Sequence, residues 1–145
     1  EQLKRLPEIV DKRRALAARY QSLLAPIPGL VLPREPEWAR SNWQSYCVRL
    51  PDAVDQRGVM QRMLDAGIAT RRGIMCSHRE GAYPHDTWTC ATRLKGHCDC
   101  APGACAELRH SEQAQDHCIV LPLFAQMTET QQDRVVEVLK AAVSA

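Results

Sequence analysis

Aromatic side chains are scarce: three Trp, three Tyr and one Phe make up 5% of the 145 residues. So few rings argue against a nucleic-acid surface built on base stacking. No window reaches about 18 consecutive apolar residues, which excludes a membrane-spanning helix. No charged-then-apolar leader opens the chain. A composition of 45% hydrophobic and 25% charged residues excludes a disordered or collagen-like polymer. An excess of one charge sign is also lacking, with 19 Lys and Arg against 17 Asp and Glu. Residues 1–75 hold 13 basic and 8 acidic groups, residues 76–145 hold 6 and 9, an asymmetry too small to mark a nucleic-acid partner. The expectation is a soluble, cytoplasmic domain with neither nucleic-acid nor membrane partners. Its length fits one domain of roughly 100–200 residues and supports one core. Because the chain opens at Glu1 without an initiator Met, it is expected to be a piece of something longer.

Lysine is sparse as well, limited to Lys4, Lys12, Lys95 and Lys140. Cysteine is not. Seven are present, and an odd number without a secretion signal weakens a disulfide framework. Cys47 lies in a strand-like run and reads as a small buried apolar residue. Five others, Cys90 through Cys118, crowd into 29 positions.

Ile9, Val10, Leu16, Tyr20, Leu23 and Leu24 recur at helical spacing, predicting an amphipathic helix from Pro7 to about Leu24 that Pro26, Pro28 and Gly29 terminate. Alternation over Trp43–Leu50 predicts a half-buried strand with Tyr46, Val48 and Leu50 on one side. Asp52 is the expected N-cap of a helix through Leu64, and Gly67 its left-handed C-cap. Ile68–Arg72 is a second candidate strand and Cys118–Leu121 a third. Thr128 and Gln131 form a capping-box pattern ahead of a helix carrying Val135, Val136, Leu139 and Val143. Residues 73–116 carry no clean period. The sum is three helices with about three short strands, an α+β layout with helices on one sheet.

Three separated stretches carry a resemblance. They are Gln2-Leu3-Lys4-Arg5-Leu6-Pro7-Glu8-Ile9-Val10 with Lys12-Arg13-Arg14, then Gly67-Ile68-Ala69-Thr70-Arg71-Arg72, and Leu121-Pro122-Leu123-Phe124 with Met127-Thr128-Glu129 and Gln131-Gln132-Asp133-Arg134. In this order and spacing they resemble the C-terminal part of the DegT/DnrJ/EryC1/StrS aminotransferases, pyridoxal-phosphate (PLP) enzymes that mostly aminate keto groups on nucleotide-linked sugars. The resemblance implies three helices on a small, mainly antiparallel sheet, as in the small domain of the aspartate-aminotransferase (type I PLP) fold. That domain would span residues 1–145, with a Cys/His-rich insertion at about 85–113. It also implies a homodimer and a nucleotide-sugar substrate for a full-length parent. The family's Schiff-base lysine, its pyridine-pairing aspartate and its phosphate cradle all precede the matching region, and none of the four lysines matches. PLP is therefore expected on the parent, in a large domain missing from this chain, and no catalytic residue is expected here.

Within the match, Arg71, Arg72, His78 and Tyr83 fall where the family's active-site mouth lies, and they are the implied substrate-binding residues. Guanidinium and imidazolium groups bind phosphate well. In the insertion, Cys90, His97, Cys98, Cys100 and Cys105 are candidate ligands for a tetrahedral zinc that would supply folding energy to an irregular loop. The spacing Cys98-x-Cys100-x4-Cys105 is not a paired CxxC, so a local disulfide and unpaired thiols stay open beside zinc. A nucleophilic Cys–His pair lacks an orienting third group. Two rival readings are a metal-stabilised binding module and a basic interaction domain using Arg13, Arg14 and Arg19.

Overall fold

The structure, a computed structural model, describes residues 2–84, 88, 90, 100, 101 and 103–144, with Gln2 described in its backbone alone. Helix α1 runs Leu6–Leu24 with Pro7 in its first turn, where no backbone donor is lost. Leu16, Ala17, Tyr20 and Leu24 are its buried residues, the four-residue spacing that puts side chains on one face. The Ala25 N–H closes on Gln21 O at 3.2 Å, and Pro26 cannot continue the helix.

The following loop is fastened back onto α1. Arg14 holds the Glu35 carboxylate with both guanidinium nitrogens at 2.7 Å, and the Ser41 N–H donates to the same carboxylate at 2.6 Å. The Arg14 guanidinium first, and the Ser41 amide second, draw the Glu35 pKa down from 4.5 to about 2. A depressed carboxylate contributes its stability above the unfolded value and loses it as pH falls through the folded one. The Ser41 amide resonance is therefore expected to hold its shift down past pH 4.5 and to titrate with a midpoint near 2. A midpoint at 4.5 would show that the clasp does not form.

Strand β1, Tyr46–Arg49, alternates buried Tyr46 and Val48 with half-buried Cys47 and Arg49. Helix α2 covers Gln56–Asp65. Its N-cap is Asp55 rather than Asp52: the Asp55 carboxylate accepts from Arg57 N–H at 3.1 Å and Gly58 N–H at 3.0 Å. Asp52 is occupied by Arg49 instead, and a turn in which Val54 N–H meets Pro51 O delays the helix start. Gly67, at φ +78°, takes the expected left-handed C-cap. Strand β2 is only Arg71–Arg72, shorter than the sequence suggests, because the Ile68 N–H is spent on Met63 O at 2.8 Å in finishing the helix.

Helix α3, Arg109–His117, makes four α-helices among the described residues where three are expected. Its sequence, RHSEQAQDH, has Ala114 as its one apolar residue, so it offers no apolar period to read. It leads directly into strand β3, Cys118–Leu121. Helix α4, Glu129–Ser144, starts with the expected capping box: Gln131 N–H to Thr128 Oγ1 at 3.2 Å and Thr128 N–H to Gln131 Oε1 at 2.9 Å. The sheet is antiparallel in the order β1-β3-β2, with Val48 opposite Ile119, Tyr46 opposite Leu121, and Arg71 opposite Val120. Tyr46, Val48, Ile119 and Leu121 share one core with α1, α2 and α4. Buried Gln132 ties α4 to α1, its amide nitrogen donating to Leu16 O at 2.7 Å. Among the described residues no helix is long and apolar enough to cross a membrane.

Candidate functional site

Past β2 the chain turns along α3 and opens a groove of about 420 Å³, lined by Ile74, Met75, Ser77, His78, Tyr83 and Trp88 among others. The polar helix explains how this irregular segment is held. His78 Nε2 lies 2.7 Å from Glu112 Oε1, and the Cys105 N–H donates to the same oxygen at 2.6 Å. Arg79 grips both Asp116 oxygens at 2.8 and 2.9 Å and donates through Nε to Gly103 O at 2.8 Å. One turn along, Gln115 Oε1 accepts the Cys76 N–H at 3.2 Å. Glu112 and Asp116 stand four residues apart on one helix face, so adjacent His78 and Arg79 each meet a carboxylate. The His78 side chain is 6% exposed, and the Trp88 ring meets it edge-on at 5.5 Å. His78 is thus a fixed part of the groove wall, whereas Tyr83 is exposed at its rim.

Arg71 and Arg72 do not join this groove. Both are exposed, and as neighbours on an edge strand they point to opposite faces. Arg71 borders a depression with Gln44, Ser45 and Leu123, while Arg72 borders another with Arg57, Gln61 and Thr70. The four sequence candidates therefore occupy three places, with only His78 and Tyr83 together.

Of the metal-ligand candidates, His97 and Cys98 lie outside the described residues. Cys90 and Cys105 are buried with their sulfurs 3.5 Å apart, and Cys100 Sγ accepts the Ala106 N–H at 3.3 Å. Among the described residues no group of three or more His, Cys, Asp or Glu side chains is placed to hold a metal. Cys47 is half-buried rather than fully buried. Desolvation pushes its thiol up to about 11, with a further push from Cys118, so it is an inert group on the sheet face. Gly73 makes that packing possible: a Cβ there would stand 2.7 Å from Cys118 Cβ and 2.8 Å from Cys47 Sγ.

The described lysines are all exposed. Lys12 pairs with Glu8 at 2.7 Å, and Lys4 and Lys140 are exposed; Lys95 lies outside the described residues. Two arginines of the basic stripe of α1 are also engaged, since Arg14 holds Glu35 and Arg19 holds Asp133, each at 2.7 Å. The residues missed in the sequence are Arg79, Glu112, Gln115 and Asp116. Their only signal there was two carboxylates four apart in a run without apolar period.

Comparison with known proteins places this architecture. A profile of the DegT/DnrJ/EryC1/StrS aminotransferase family matches residues 1–140. A dTDP-4-dehydro-2,3,6-trideoxy-D-glucose 4-aminotransferase from Saccharopolyspora spinosa is 38% identical over 87 residues, 59% of this chain and 22% of that protein. The aminotransferase TlmJ from Streptoalloteichus hindustanus superposes with a TM-score of 0.75 at 28% identity, covering 99% of this chain and 34% of its own. The sugar aminotransferase CalS13 from Micromonospora echinospora gives 0.71 at 23% identity, covering 96% and 32%. The chain thus spans about a third of the length of these solved relatives. It belongs to the DegT/DnrJ/EryC1/StrS aminotransferase family, which is PLP-dependent.

Proposed function

We infer that this chain is the small domain of a cytoplasmic, homodimeric, PLP-dependent aminotransferase that acts on a nucleotide-linked keto-sugar, and that it completes the substrate cleft from outside. The observation that carries this reading is the coverage: nearly all of the chain overlays about a third of each solved relative. An imine-forming lysine must sit in a pocket that lowers its pKa, and the described lysines sit on exposed helix faces or in an ion pair. They do not fit the cofactor's anchor, so that anchor, the acid at the pyridine nitrogen and the phosphate cradle are assigned to a separate large domain. Exposed Leu3 and Leu6 continue the apolar stripe of α1 and offer that domain a docking edge.

The chain's own contribution is to bind and orient. Arg71 and Arg72 project from the edge strand with no ion-pair partner among the described residues and can reach a diphosphate as charge-assisted donors. His78, locked by Glu112, and Tyr83 at the rim form a wall against which a sugar can be placed. No nucleic-acid or membrane partner belongs to this reading.

The residue assignment is tested in the chain joined to a large domain. Hydrogen bonds to a charged group contribute about 1.5–3 kcal/mol, so Arg71→Ala and Arg72→Ala are each expected to raise KM for the nucleotide sugar about ten- to hundredfold, with kcat little changed. Tyr83→Phe is expected to raise it less. Unchanged KM in all three variants would remove these residues from the substrate site without touching the domain assignment.

A further inference from the structure

His78 lines the groove as a buried imidazole, and what it offers a ligand depends on which ring nitrogen carries the proton. The groups around Glu112 decide that. Oε1 of Glu112 accepts the Cys105 N–H at 2.6 Å, and a backbone amide can only donate. Oε2 lies 3.4 Å from the Arg79 guanidinium, which also can only donate. A carboxylate set between two such donors is an acceptor. The 2.7 Å contact between His78 Nε2 and Oε1 is therefore an N–H donated to Glu112. In the neutral ring the proton sits on Nε2 and the lone pair on Nδ1.

The surroundings hold this arrangement in place. The Glu112 side chain is 12% exposed, so little water competes for it. Cys105 is fixed from its other side as well, where its carbonyl accepts the Leu108 N–H at 2.9 Å. Arg79 is anchored on Asp116 at 2.8 and 2.9 Å, so it neighbours Glu112 without displacing the imidazole. The Trp88 ring stands at 75° to the His78 ring and backs it. Helix α3 is itself pinned to α2, since Gln56 Nε2 donates to Gln115 O at 2.8 Å and to Cys118 O at 2.7 Å.

We propose that Glu112 is the positioning residue of the groove: by holding the Nε2 proton it makes His78 present Nδ1 as an acceptor, which takes a hydroxyl of the substrate's sugar. This rests on the function proposed above and adds to it the chemistry of one contact. A diphosphate is ionised and offers only acceptor oxygens, so it has nothing to give a neutral Nδ1. A sugar hydroxyl donates, and it fits. The diphosphate is left to Arg71 and Arg72, which lie outside the groove. Ile74, Met75, Trp88 and Leu108 make much of the remaining wall apolar, so orientation depends on a few polar groups. A substrate lacking the matching hydroxyl leaves Nδ1 unpaired and is rejected for that reason.

Two measurements test this. On the chain by itself, nitrogen-edited NMR at alkaline pH is expected to show a downfield His78 ring proton correlated with Nε2. It is expected to persist in Glu112→Gln, whose amide oxygen still accepts, and to be lost in Glu112→Ala. In the chain joined to a large domain, Glu112→Ala is expected to raise KM for the nucleotide-linked keto-sugar about tenfold with kcat little changed, and Glu112→Gln to recover most of that loss. In a His78→Phe background, Glu112→Ala is expected to add less than about twofold, because it acts through the ring. Affinity for a nucleoside diphosphate without the sugar is expected to be equal in all of these variants. A ring proton on Nδ1, an unchanged resonance in Glu112→Ala, an undiminished loss in the His78→Phe background, or weakened nucleoside diphosphate binding would each overturn the proposal. Absence of amino transfer in the unsubstituted joined protein would overturn the function reading instead, and the NMR result decides the nitrogen assignment without it.

Discussion

Tyr20→Ala is expected to destabilise the domain by about 3–5 kcal/mol, a large share of the 5–15 kcal/mol that holds a domain of this kind together. Tyr20 is fully buried, its ring lies 5.0 Å from that of Tyr46, and its hydroxyl donates to Pro122 O at 2.9 Å. It therefore joins three parts that are distant in sequence: α1, β1 and the turn after β3. Truncation removes the ring and opens a cavity that the backbone of α1, pinned to α4 through Gln132, cannot collapse to fill. Tyr20→Phe keeps the ring and loses one hydrogen bond, leaving Pro122 O unsatisfied, so about 1 kcal/mol is expected. Urea unfolding reads both values as midpoint shifts at constant slope. A loss below about 1 kcal/mol for the alanine variant would mean that the core is not organised around this residue.

Tyr20 also shows what the sequence made legible. It fell on the apolar stripe that predicted α1, just as Tyr46 and Val48 fell on the alternation that predicted β1, and both periods survive in the structure because one face of each element is buried. The capping box at Thr128 was equally visible, since its two bonds are local. Where partners are distant, local reading failed. Asp52 and Asp55 are equally good N-caps by type, and only the ion pair from Arg49 takes Asp52 away. Helix α3 had no apolar face to betray it, because it is held by Glu112, Gln115 and Asp116 through polar contacts with residues some 34–39 positions earlier. Four α-helices are found among the described residues where three were expected, for that reason. Of the four residues read as substrate-binding, His78 and Tyr83 share a groove, and the carboxylate that fixes His78 lies on the helix that no pattern announced. Arg71 and Arg72 were adjacent in the motif, and adjacency on a strand is what separates them in space.

The family is PLP-dependent, and the reading proposed above assigns that chemistry to a large domain outside this chain. Every described lysine is exposed, and the groove at His78 and Tyr83 is lined by none of them. Transamination needs an imine-forming lysine, an acid at the pyridine nitrogen and a phosphate cradle acting together, so loss of all three removes the reaction rather than slowing it. Weak labelling of exposed Lys4, Lys12 or Lys140 by free PLP does not bear on this, because it would be lost on dialysis. The decisive measurement is PLP retention and amino transfer to a nucleotide-linked keto-sugar, made on the purified chain and on the same chain joined to a large domain of the family. The chain alone is expected to emerge from dialysis without PLP and to transfer no amino group, and the joined protein to gain both. Stoichiometric PLP held by the chain alone, and lost on substituting one of Lys4, Lys12, Lys95 or Lys140, would contradict the account and make these residues an enzyme in themselves.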